Sequence, residues 1–152
     1  MAEEIEKLTI KDAENAQKAV LELVLKYPGY PNTFKADNTA VKWNNMSEST
    51  SIGIFSLQGA KYLKKYISGS YKAQMPFQIV YRSSPTTNRA SIAAQELVES
   101  LGAWLEDNGI TFKDEHMELE CISRTSPAFL LAQNDKTIEY AVNMQLRYYY
   151  KK

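Results

Sequence analysis

The stretch Ile138-Glu-Tyr-Ala-Val-Asn-Met-Gln-Leu-Arg-Tyr-Tyr-Tyr150 carries an apolar or aromatic residue at every second position: Ile138, Tyr140, Val142, Met144, Leu146, Tyr148 and Tyr150. Side chains of an extended chain point alternately to its two sides, so this period predicts one long strand with a single buried face. Such a strand needs a neighbour to satisfy its backbone and a layer to cover its apolar side. The neighbour is read in residues 71–83, where Phe77, Ile79 and Tyr81 alternate with Gln78 and Arg82, and residues 61–67 pair with it around Ser68-Gly-Ser70. The cover is read in residues 90–107, whose stripe Ala94, Leu97, Val98, Leu101, Trp104 and Leu105 has the three-and-four spacing of one helical face. Ser83-Ser-Pro-Thr-Thr87 supplies hydroxyl caps and a proline before this helix, and Asn108-Gly109 ends it.

The remaining segments complete an α+β pattern. Ala13, Ala16, Val20, Leu23 and Val24 form the stripe of a first helix, with Thr9 and Asp12 as its cap after an acidic lead, and Tyr27-Pro-Gly-Tyr-Pro31 ends it as an ordered connector. Residues 40–44, with Val41 and Trp43, and 51–58, with Ile52, Ile54, Phe55 and Leu57, read as a hairpin or meander around a polar turn. Met117, Leu119 and Cys121 alternate in a strand, Arg124-Thr-Ser-Pro127 breaks it, and residues 128–132 resume pairing. Helix, strands, helix, strands predicts helices packed on one antiparallel sheet in a single domain over residues 1–152. A chain of 152 residues, 44% hydrophobic and 24% charged, is long enough to bury roughly 70% of the surface its unfolded form exposes.

Scarce residue types exclude several chemistries. One cysteine, Cys121, and one histidine, His116, cannot build an intrachain disulfide or an ordinary four-ligand zinc site. His116 lies in a charged run at a loop-to-strand junction and reads as solvated; Cys121 reads as a small core residue. The six glycines stand at least six positions apart, too far for a dinucleotide fingerprint or a serine elbow, and a P-loop sequence is absent. No catalytic, cofactor-binding or metal-ligating set is therefore expected, and no enzyme activity. The acidic start and short apolar runs predict neither a signal peptide nor a membrane span.

Charge is segregated although the net is zero, with 18 basic and 18 acidic residues. From Ser49 to Gln95 there is no acid, while Lys61, Lys64, Lys65, Lys72, Arg82 and Arg89 are basic. From Glu96 to Glu120 there are eight acids against Lys113 alone. Opposed patches of this kind suit head-to-tail association, in which one face meets a different face of the next copy. Solvated charge on a hairpin and a helix is the plainer explanation, and lysines also protect exposed strand edges from stray pairing. Lys61-Tyr-Leu-Lys-Lys-Tyr66 with Tyr71-Lys72 further mixes bases with aromatics, the combination that tracks a single nucleic-acid strand.

Phe77-Gln-Ile-Val-Tyr-Arg82 leading through Ser84-Pro85 into the helix 90–107, then Ile122-Ser-Arg-Thr-Ser-Pro-Ala128, Asn134-Asp135 and residues 138–148, together resemble the minor capsid or tail-terminator proteins of tailed bacteriophages and of prophage-derived tail particles of Gram-positive bacteria. The likeness covers the C-terminal half well and the first helix with Tyr27-Pro28 loosely. It implies a homo-oligomeric ring, a hexamer, that caps the tail tube, stops its polymerisation and presents a surface to the head or neck. The implied partners are other copies of the chain, the tail tube protein, and sheath and head or neck connector proteins. Duplex DNA would only pass through the lumen without sequence readout, and no membrane, cofactor or metal is implied. The place implied is a virion tail or tail-like particle assembled in the bacterial cytoplasm. Candidate ring contacts are Lys64, Lys65 and Lys72 against Glu106, Asp107, Asp114 and Glu115, with Tyr148, Tyr149 and Tyr150 at the tyrosine-rich end. The rivals are another head-to-tail connector, such as a stopper or completion protein, and a single-stranded nucleic-acid binding domain using Lys61, Tyr62, Lys64, Lys65, Tyr66, Tyr71 and Lys72.

Overall fold

In the computed structural model the described residues are 2–30, 41–44, 51–59, 61–83 and 88–152. They form α1 (Ala2–Leu25), β1 (Val41–Trp43), β2 (Ser51–Ser56), β3 (Tyr62–Lys65), β4 (Tyr71–Ser83), α2 (Asn88–Asn108), β5 (Met117–Arg124), β6 (Phe129–Gln133) and β7 (Ile138–Tyr150). The two 13-residue strands, β4 and β7, are antiparallel and paired along their whole length, from Tyr71 opposite Tyr150 to Ser83 opposite Ile138. Shorter strands flank this pair end to end. β2 and β3 share the free side of β4, and β6 and β5 share the free side of β7. The sheet order is β1-β2-β4-β7-β5, with β3 and β6 completing the two sides.

Register explains the core. Pairing brings Tyr71, Ala73, Met75, Phe77, Ile79 and Tyr81 of β4 opposite Tyr150, Tyr148, Leu146, Met144, Val142 and Tyr140 of β7, so the two period-two patterns make one apolar face. Phe77, Ile79, Val142, Met144, Leu146 and Tyr148 are wholly or almost wholly buried there, and each such side chain contributes about 1.5–3 kcal/mol by leaving water. α2 lays Ala94, Val98, Leu101 and Leu105 on this face, and α1 adds Ala16, Val20 and Val24 to the same cluster. The opposite face pairs Lys72 with Tyr149, Gln74 with Arg147, Gln78 with Asn143 and Arg82 with Glu139. The result is the α+β layering expected, helices on a mainly antiparallel sheet.

Four expectations need correction. β1 pairs with β2 in parallel, Val41 beside Ile52, and not as a hairpin. Asn44 is left-handed (φ 50°) directly after β1; its N–H donates to Ile54 O at 2.7 Å and its Oδ1 accepts from Ser56 N at 3.1 Å, which carries the contact with β2 one residue past the strand. α1 begins at Ala2 and runs through Thr9 and Asp12, because Ala2-Glu-Glu-Ile-Glu-Lys-Leu8 is composed largely of good helix formers. β5 contains a bulge between Leu119 and Cys121, which sets Cys121 opposite Arg147 on the polar face, half-buried, and not in the core. Tyr148 and Tyr150, expected at an interface, belong to the core. The polar turn expected at 45–50 and the capping residues 84–87 lie outside the described residues.

The connector after α1 is ordered through Tyr30. Its buried hydroxyl donates to Val24 O at 2.6 Å, and the Tyr27 ring meets Tyr30 and Trp104 edge-on at 5.0 and 5.5 Å. Gly29 lies under that ring: a Cβ there would come within 2.5 Å of the Tyr27 hydroxyl.

Candidate assembly surfaces

The charged residues sort by register into a row across one end of the sheet. Lys64 of β3 stands opposite Lys72 of β4, Lys72 opposite Tyr149 of β7, and Tyr149 opposite Glu118 of β5. Two like charges directly across a strand pair repel unless something intervenes. For Lys72 the intervention is on its other side, where Nζ lies 3.7 Å from Glu120 Oε1 and 4.8 Å from the centre of the Tyr149 ring. A hydrogen bond with Tyr149 raises the Lys72 pKa against desolvation, with smaller help from Glu120. Lys151 is raised in the same way, first by its hydrogen bond to Glu118, at 2.6 Å.

Lys64 and Lys65 have a different environment. Both are exposed on β3, and among the described residues neither reaches a carboxylate. Lys65 Nζ sits 4.2 Å from the Tyr62 ring centre, and Lys64 Nζ 5.2 Å from that of Tyr66. Tyr62 in turn meets Tyr71 edge-on at 5.0 Å, and Tyr71 stacks on Tyr150 at 5.1 Å with a 14° tilt. The aromatic and basic residues that sequence grouped together are thus packed on one another, with Tyr71 buried.

The acidic partners proposed from sequence are dispersed. Glu106 is bound to Arg124 of β5, which also holds Glu99, one face of α2 closing over the arginine. Glu99 accepts a further hydrogen bond from Ala128 N at 2.6 Å, and Gln95 donates to Ala128 O at 3.2 Å, so this side of α2 clamps the chain between β5 and β6. Asp114 accepts from His116 N at 2.9 Å within its own turn. Asp107 and Glu115 are exposed. Tyr149 alone of the three terminal tyrosines lies on the polar face; Tyr148 is 1% exposed. Glu118 and Glu120 face the basic row and were not singled out from sequence. Their signal was available, since both stand out of phase with Met117 and Leu119.

Elsewhere on the polar face the strands satisfy one another. Arg82 donates through Nε and Nη2 to Glu139 Oε1 at 2.9 and 2.7 Å, Gln78 Nε2 donates to Asn143 Oδ1 at 3.0 Å, and Gln145 Nε2 donates to Gln74 Oε1. His116 uses Nδ1 against Lys151 O at 2.9 Å, and its own carbonyl accepts from Lys151 N at 2.7 Å. These two contacts fix the chain after β7. No group of three metal-ligating side chains converges among the described residues, and no helix among them is long and apolar enough to cross a membrane.

A chain of the solved structure described as "Virion of native gene transfer agent (GTA) particle" superposes on this one with a TM-score of 0.61, at 12% identity, over 88% of this chain and 93% of its own. The likeness is one of fold. A second solved chain superposes with a TM-score of 0.52 at 13% identity over 92% of this chain and 96% of its own. No protein-family model and no curated protein matches the sequence. In both cases the superposition covers most of each chain, so the likeness extends well beyond a single hairpin or helix pair.

Proposed function

We propose that this chain is a structural component of a phage tail or tail-like particle, acting as a tail terminator: a homo-oligomeric ring, hexameric in the simplest case, that caps the tail tube and ends its polymerisation. The observation that carries this reading is the likeness of fold, over 88% of this chain, to a chain of a gene transfer agent virion. Two features support it. On the polar face of the sheet Gln78 pairs with Asn143 and Arg82 with Glu139, which ties β4 to β7 as a firm base for the edge strands. The two edges at one end of the sheet carry opposite charge, as suits a head-to-tail ring. The tube protein is the axial partner, sheath and neck proteins adjoin it, and duplex DNA passes through the lumen with only non-specific electrostatic contact.

A stopper or completion protein would share the ring and differ in its axial partner. The nucleic-acid reading draws little support, because a lysine already covers the Tyr62 ring and Tyr71 is buried, so neither offers a free stacking platform. The test is to mix the purified chain with polymerising tail tube protein from the same gene cluster, and to record native mass and tube length by electron microscopy. A ring at one end of length-limited tubes is the expected result. Tubes that grow unchanged, without the chain at their ends, would overturn the terminator role.

A further inference from the structure

At the end of the sheet formed by Tyr71–Met75 and the C-terminal half of β7, the strand order is β3-β4-β7-β5. Among the described residues, β3 and β5 are therefore the opposite edges of one four-stranded unit. Each antiparallel step reverses direction, so from β3 to β5 there are three reversals and the two edges run in opposite senses. A copy placed beside the first in the same orientation brings its β3 alongside β5 as an antiparallel neighbour, the favoured pairing.

We propose that, within the terminator ring on which this inference rests, successive subunits join by antiparallel pairing of β5 of one copy with β3 of the next. Charge selects this contact over the alternatives. The β3 edge presents Lys64 and Lys65, which reach no carboxylate among the described residues of their own chain; the β5 edge presents the exposed Glu115, Glu118 and Glu120, and although Glu118 meets Lys151 and Glu120 meets Lys72 of their own subunit, a carboxylate has oxygen lone pairs left for a second donor. The polar row then continues across the joint: Lys64, Lys72, Tyr149, Glu118, and then Lys64 of the next copy. The repulsion between Lys64 and Lys72 across β3 and β4 is relieved when an acid arrives on the outer side of Lys64.

The same charges disfavour the competing contacts. A β3 edge meeting another β3 sets unpaired lysine on unpaired lysine, and β5 meeting β5 brings acids together with no new base, so the head-to-tail joint is favoured over two-fold dimers. Both edge strands contain an irregularity, between Tyr62 and Lys64 in β3 and between Leu119 and Cys121 in β5, which discourages pairing with an unmatched flat strand. Leu63, 42% exposed at the β3 irregularity, is an apolar side chain that this joint would cover.

The experiment uses two full-length variants, Lys64→Glu/Lys65→Glu and Glu118→Lys/Glu120→Lys, measured by native mass spectrometry and sedimentation alone, mixed, and with tail tube protein. All four positions are exposed, so circular dichroism should match the parent chain, with a small fall in Tm for Glu118→Lys/Glu120→Lys because it removes the pairs with Lys151 and Lys72. Each variant alone should assemble at least about tenfold more weakly, since like charges would face each other across the joint. The equimolar mixture should recover assembly and hold the two variants in equal number, because every joint must unite one of each. In the assembled parent, amide exchange at 62–65 and 117–124 should slow. If both variants assemble like the parent, or if the mixture fails to recover, the edge pairing is overturned while the ring stands. A parent chain that stays monomeric with and without tube overturns both.

Discussion

Gly102 lies in α2 between Glu99 and Glu106, three positions from the first and four from the second, so all three share the face turned to Arg124. A Cβ on Gly102 would come 2.9 Å from Arg124 Cδ and 3.2 Å from its Cγ, but 3.7 Å from Val142 Cγ2, which is ordinary contact. The arginine stem alone objects. Replacing glycine by alanine inside a helix is worth about 0.5–1 kcal/mol of stabilisation. Here the stem is anchored at both carboxylates and must shift, loosening one or both charged hydrogen bonds. Such bonds are worth about 1.5–3 kcal/mol when well shielded, but the Arg124 side chain is 30% exposed and Glu99 42%, so about 1 kcal/mol for each is the appropriate scale. Gly102→Ala should therefore destabilise the chain by about 1 kcal/mol net, a fall of roughly 2–4 °C in Tm. In an Arg124→Ala background the obstacle is gone and the same substitution should stabilise by about 0.5–1 kcal/mol. Urea denaturation of the four chains of this cycle measures both signs. Equal effects of Gly102→Ala in the two backgrounds, or a gain in stability with Arg124 present, would refute the account of the clamp.

Other perturbations probe separate parts of the fold. Tyr148→Ala should cost about 3–5 kcal/mol and Tyr149→Ala less than about 1, by chemical denaturation, because only the former empties a fully buried site. Burial, with Tyr27 nearby as the smaller cause, pushes the Tyr30 phenol above its ordinary value of 10.0, and burial likewise raises Tyr81. Above that ordinary value the unfolded chain has released these protons while the folded chain still holds them, so stability is full below about pH 10 and declines above it; Tyr30→Phe and Tyr81→Phe should each flatten the decline in a pH series of denaturant midpoints. Asn44→Ala should cost about 1–2 kcal/mol and Asn44→Gly less, since alanine loses both the bond to Ser56 and ease in the left-handed region.

The long strands were legible because their signal is periodic and local: β4 and β7 fall at the residues where alternation begins and ends, 71–83 and 138–150. α2 was legible from its stripe, and the β3–β4 hairpin from Ser68-Gly-Ser70, with Gly69 left-handed at the turn (φ 92°). Partnership was harder. Nothing in residues 40–58 distinguishes a parallel pair from a hairpin, because both need the same extended, apolar segments. Bulges were invisible for a related reason: alternation through Met117, Leu119 and Cys121 continues in the sequence, while the extra residue at Glu120 reverses the face on which the later residues of β5 fall. The charge reversal near Gln95 was real, but half of the acids it counted are held by their own subunit: Glu99 and Glu106 by Arg124, Glu118 by Lys151, Glu120 by Lys72. Counting along the chain gives the sign of a patch; only the register says which of its charges remain to meet a neighbour.

The full-length union of β4 with β7 sets a schedule for synthesis. Gln78 and Asn143, which face each other in the spine, are 65 residues apart along the chain, with α2, β5 and β6 between them. Of the described strands β7 leaves the ribosome last, and until it does β4 has one side unpaired over all 13 residues and the apolar face has half its floor. Closure of so long a loop precedes most of the stabilising contacts, which makes folding slow relative to helical proteins of this size and ties it to the emergence of β7. During that interval an apolar edge is open to other nascent copies, so the cell's chaperones, more than the finished protein's stability, should govern how much assembles.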